Sequence, residues 1–79
     1  MHVVLENQSD GKKIVLCVDR ASRSCRVIDP PNLEVLPTLE DIARALGASN
    51  LVIVINKDAE KFKSAGYKPV EVSVMTKVL

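Results

Sequence analysis

Apolar and polar residues along the chain change period several times, and each change marks an element. Met1 to Leu5 is apolar and β-branched, and Asn7-Gln8-Ser9-Asp10-Gly11 is turn chemistry, so a hairpin opens the domain. Lys13 to Asp19 reads K-I-V-L-C-V-D, with Ile14, Leu16 and Val18 on one face and Val15 and Cys17 on the other. Apolar groups on both faces predict a central strand. Arg20-Ala21-Ser22-Arg23 is the next turn, and Ser24 to Ile28 a shorter strand ended by Asp29-Pro30-Pro31, because proline removes a ladder donor.

The period then lengthens. Leu39, Ile42, Ala43 and Leu46 fall at i, i+3, i+4 and i+7, one apolar stripe of a helix. Thr38 is the expected N-cap, with Asp41 three residues on as in a capping box, and Gly47 closes the helix. Leu51-Val52-Ile53-Val54-Ile55 is an unbroken apolar run, which predicts an interior strand covered on both sides. Asn56 caps a short second helix through Ala65, with Ala59 and Phe62 inward and Gly66 as the stop. Val70 to Leu79 reads as a closing strand with Val72, Val74 and Val78 on one face. The expected order is β-β-β-α-β-α-β, a single α+β domain over residues 1–79 with a mixed sheet and two helices. No repeat, linker or low-complexity tract divides it.

Composition adds that the core is aliphatic: apolar residues are 47% of the chain and Phe62 and Tyr67 its only aromatics. At 79 residues the core is only just sufficient, so exposed sheet edges would profit from pairing, as a homodimer or with another protein. A formal charge of +1 gives no general attraction for nucleic acid or anionic membrane. No apolar stretch is long enough to span a bilayer, and the N-terminus lacks the layout of a signal peptide, so a cytoplasmic location is expected.

The candidate chemistry is sparse. Cys17 and Cys25 are expected to be reduced, buried hydrophobes. A three-residue turn would let them face each other and a two-residue turn would set them on opposite faces. His2 is the sole histidine, so neither a Cys/His zinc site nor a His-based triad is assembled. Arg20, Arg23 and Arg26 surround one turn and Lys57, Lys61, Lys63 and Lys68 the second helix; both groups read as solvated. Asp29, Glu34, Glu40 and Asp41 lie around the first helix start, where carboxylates complement the helix dipole. They form no general acid/base pair.

Two resemblances enter at this point. Thr38 to Asn56 carries the D-I-A-x-x-x-G-x-S pattern of the helix-turn-helix opening of the lac-repressor family. A recognition helix, however, needs polar side chains for bases and phosphates, and Leu51 to Ile55 has none. Gly47, Asn56-Lys57-Asp58-Ala59, Phe62-Lys63-Ser64-Ala65-Gly66-Tyr67 and Val74-Met75-Thr76-Lys77-Val78-Leu79 fall in the order of the C-terminal half of the GNAT acetyltransferases. From about Val27 to Leu79 the chain resembles that family's strand, helix, strand, helix, strand.

The GNAT resemblance implies acetyl-CoA as cofactor and Asn56 as a contact to its pantetheine, although Asn at a strand-to-helix junction is more simply an N-cap. Three departures point away from acetyl transfer. The stretch Pro30 to Thr38 has no glycine where the family's phosphate-binding loop offers backbone N–H groups. Phe62 stands at the family's general-acid tyrosine, and Tyr67 at an aromatic position that mostly packs, its hydroxyl reaching water. The helices that shape the acceptor side in that family would precede the first strand and are expected to be missing. The expectation is a GNAT-like domain without catalytic residues, bound metal or cofactor, acting as a ligand-binding or protein-interaction module. The alternative is a minimal acyl-CoA-dependent N-acetyltransferase completed by a partner chain.

Overall fold

The computed structural model describes residues 2–6, 11, 13–28, 30, 33–55, 59–71 and 73–79. Its strands are β1 (His2–Glu6), β2 (Lys13–Asp19), β3 (Ser24–Ile28), β4 (Asn50–Val54), β5 (Lys68–Glu71) and β6 (Val74–Val78), and its helices α1 (Leu36–Ala45) and α2 (Ala59–Ser64). They form one mixed six-stranded sheet in the order β1-β2-β3-β4-β6-β5. All neighbours are antiparallel except β3 and β4, which run parallel because α1 carries the chain back across the sheet.

β2 and β3 have the limits that alternation predicts. Two elements differ. The expected closing strand is a hairpin, β5 and β6, reversed at Ser73, whose φ of 112° breaks the extended conformation. α1 begins at Leu36, before Thr38: a 3-10 turn, Leu33–Val35, runs straight into it. Val35 occupies the N-cap in a helical conformation with no side-chain cap bond. Thr38 lies inside the helix, and Asp41 pairs with Arg44 at 3.1 Å instead of closing a capping box. The fixed φ of Pro37 suits a first helical turn, where its missing N–H goes unused.

Both helices stop at a glycine, as predicted. At the end of α1, Gly47 N–H donates to the Arg44 carbonyl and Ala48 N–H to that of Ala43, both at 3.0 Å. At the end of α2, Gly66 N–H donates to Lys63 and Tyr67 N–H to Phe62, also at 3.0 Å. These pairs are Schellman motifs, which need a left-handed residue, and the glycines have φ of 90° and 94°.

The registers assign every strand residue to a face. Leu16, Val27, Ile53 and Met75 are successive cross-strand partners, as are Val18, Cys25 and Leu51. With Leu36, Leu39 and Ala43 of α1 and Phe62 of α2 they form one buried core on one side of the sheet. The stripe that α1 buries is Leu36, Leu39, Glu40 and Ala43, while Ile42 and Leu46 are half-buried at its margin. Both helices therefore cover the same face. β4 is not enclosed on both sides: Leu51 and Ile53 are buried, but Val52 and Val54 are half-buried on the side away from the helices.

Candidate functional site

Two arrangements stand out. The first is a polar cluster inside the core. Glu40, only 8% exposed, accepts a hydrogen bond from the Tyr67 hydroxyl at 2.9 Å and from Lys77 Nζ at 3.1 and 3.2 Å. Arg44 approaches it at 4.0 Å. Lys77 also donates to the Ala65 carbonyl at 3.2 Å and lies 5.5 Å from the centre of the Tyr67 ring. Tyr67 in turn meets Phe62 edge-on, the apolar contact that accompanies a Schellman end.

This cluster overturns two sequence expectations. Glu40 does not serve the helix dipole at the surface, and the Tyr67 hydroxyl does not reach water. α1 starts three residues earlier than a Thr38 cap predicts, which places Glu40 at i+4 from Leu36 on the buried stripe. That spacing, with Lys77 on an inward-bordering strand, was the signal in the sequence. Burial, followed by the hydrogen bond and charge of Glu40, raises the Tyr67 pKa well above the ordinary tyrosine value. Among the described side chains, no buried nitrogen or oxygen lacks a partner. The cluster ties α1 to β6 and to the end of α2, and its groups are committed to one another rather than to a substrate.

The second arrangement is the sheet face that no described helix covers. Cross-strand register places Val4 beside Val15, Ile28 beside Val54, and Val54 beside Val74. Val15 and Ile28 each lie one position past the Leu16–Val27 pair, so a row of β-branched side chains crosses the strands, with Val4, Val15 and Ile28 exposed at 57%, 44% and 65%. Val52 adjoins it between Arg26 and Thr76. Toward one end, Cys17, Val18, Asp19, Ser24 and Arg26 line a depression of about 280 Å³. Asp19 is occupied with its own turn, accepting from Ala21 N–H at 3.0 Å and Ser22 N–H at 3.5 Å, and these bonds hold its pKa below the ordinary value.

The remaining sequence candidates are dispersed. Cys17 and Cys25 lie on opposite faces, since Cys17 pairs with Arg26 and Cys25 with Val18, and both are free thiols. Arg20 and Arg23 are exposed in the turn, and Lys63 bonds Glu60 at 3.2 Å. Asn56, together with Lys57 and Asp29, lies outside the described residues. Among the described residues no group of three or more His, Cys, Asp or Glu is placed to hold a metal ion, and no helix is long and apolar enough to cross a membrane. Leu51 to Val54, where the lac-repressor resemblance would need a recognition helix, is extended strand. No protein-family model, curated protein or solved structure matches this chain.

Proposed function

We propose that this chain is a GNAT-like domain without acetyltransferase activity, working as a protein-interaction module through the helix-free face of its sheet. The observation that carries the reading is the row Val4, Val15, Ile28, Val54 and Val74 on that face. A contiguous apolar patch rimmed by polar residues is the usual mark of a binding surface.

The GNAT part of the reading is supported by the resemblance in the sequence together with the alternation of strand and helix from β3 onward. The absence of acetyl transfer is supported by three features. The approach to α1 is a 3-10 turn followed by Pro37 rather than a glycine loop, so it is a poor cradle for pyrophosphate. Phe62 is a buried core residue with no proton to give. The Tyr67 hydroxyl is buried and donates to Glu40.

Calorimetry against acetyl-CoA tests this directly. No heat at millimolar ligand is the expected result. Saturable binding with transfer of the acetyl group to an amine would replace the module with the acyl-CoA-dependent enzyme completed by a partner chain.

A further inference from the structure

Resting on the interaction-module reading, we infer that the partner is a second copy of this chain, docked sheet to sheet through the helix-free face. Size and shape favour that occupant, and charge does not oppose it.

The fold measures 30 × 30 × 18 Å between Cα extremes. Its short dimension is that of one sheet plus one helix layer, so the broad face is the sheet itself. A face of this breadth is comparable with the roughly 800 Å² per partner that a standard interface buries. The apolar row runs across the strands from β1 to β6. A two-fold axis lying in the interface would set this row on its own copy. Two sheets packed in this way approach to about 10 Å with their strands about 30° apart, and side chains of valine and isoleucine size interdigitate between them.

The surrounding charges do not oppose such a pairing. Glu6 stands beside Lys13, Asp19 beside Ser24, and Arg26 beside Cys17. On β5, Lys68 and Glu71 register with Thr76 and Val74. Acids and bases on this face balance, so the surface does not repel itself, and the whole chain carries a formal charge of only +1. Balanced charge also gives the face no bias toward a polyanion or an anionic membrane. A polar rim around an apolar centre is the anatomy of a specific protein interface. The depression beside Cys17 and Arg26 is partly polar and lies off the apolar row.

Sedimentation velocity of the whole chain from low to high micromolar, with methyl NMR at the same concentrations, tests the inference. The expected result is a dimer whose formation shifts the methyl signals of Val15, Ile28, Val54 and Val74. Val15→Lys and Ile28→Lys, both at exposed positions, each place two unpaired charges in the dimer and raise its dissociation constant by about a hundredfold. Far-UV circular dichroism checks that the variants fold, and Lys63→Glu on α2 leaves the dimer unchanged. Monomer at every concentration overturns the inference. A dimer that survives both lysine substitutions also overturns it, because such a dimer pairs by another surface. Binding and turnover of acetyl-CoA defeat the underlying module reading whatever the mass, so the two failures are distinguishable.

Discussion

The Tyr67 hydroxyl donates to Glu40 Oε2 at 2.9 Å across 27 positions of the chain, joining the end of α2 to the buried side of α1. Because the acceptor is an ionised carboxylate and both residues are buried, this bond is stronger than a neutral one. Tyr67→Phe removes the donor and leaves Glu40 with Lys77 as its close partner. The expected loss is about 1.5 kcal/mol, within the range for hydrogen bonds to charged groups, read from urea unfolding. A loss indistinguishable from zero would mean that water replaces the hydroxyl.

The same residue makes stability depend on alkaline pH. Burial, then the hydrogen bond and charge of Glu40, raise its pKa in the folded state. The neutral phenol's contribution is full below the unfolded value of about 10 and is lost as pH rises toward the higher folded value. The advantage of the wild type over Tyr67→Phe should therefore shrink above about pH 10. Tyr67 is the only tyrosine, so tyrosinate absorbance follows it without overlap and should rise together with unfolding. Titration at the ordinary value in folded protein would contradict the buried bond.

Lys77 is the counter-charge of Glu40 and is partly open to water, with 29% of its side chain exposed against 11% for Glu40. Lys77→Met keeps the aliphatic stem and deletes the charge. Removing one member of a fully buried pair costs about 3–5 kcal/mol, and solvent access to Lys77 lowers the expectation to about 2 kcal/mol. Combining the substitution with Glu40→Gln should recover part of the loss, since no unpaired charge then remains. A double variant no more stable than the sum of the single changes would argue against coupling.

The helix-ending glycines make a comparison. Gly47→Ala and Gly66→Ala each force a side chain into the left-handed region at a cost of about 1 kcal/mol. At Gly47 an added Cβ meets nothing within 4 Å, whereas at Gly66 it meets Lys77 Cε at 3.4 Å. The two costs should be similar in urea, because the lysine chain gives way. A substantially larger loss at Gly66 would show that the position of Lys77 is rigid.

Thiol chemistry distinguishes the two sheet faces. Cys25 is fully buried, and burial raises its pKa; Cys17 is half-buried on the helix-free side. A disulfide reagent should modify Cys17 alone in the folded monomer and both cysteines in urea. An internal disulfide in the folded chain would contradict the register of β2 and β3.

Much of the local structure was legible beforehand. The alternation in Lys13–Asp19 and Ser24–Ile28 placed both strands at their observed limits, and Gly47 and Gly66 marked the ends of both helices. Where the reading failed, two local signals competed. Thr38 has the chemistry of a cap, but Leu36 has a place in the core, and burying that leucine draws the helix start forward through the Leu33–Val35 turn. In the closing segment a single valine periodicity hid the reversal at Ser73, which carries no glycine or proline to announce it.

Along the chain, residue order alone determined where backbone can extend, coil or reverse, because β-branching, helical spacing and glycine act through neighbours only a few positions away. Tertiary structure decided which face of each strand meets helices and which does not. Val15 and Leu16 are both aliphatic, yet register with Val4 leaves one exposed and register with Val27 buries the other. It also turned Glu40 from a surface carboxylate into a buried acceptor, since its partners Tyr67 and Lys77 arrive from 27 and 37 positions away. Contacts of that range depend on how the whole sheet is ordered; the i+4 spacing of Leu36 and Glu40 marks the burial of Glu40 but not its partners.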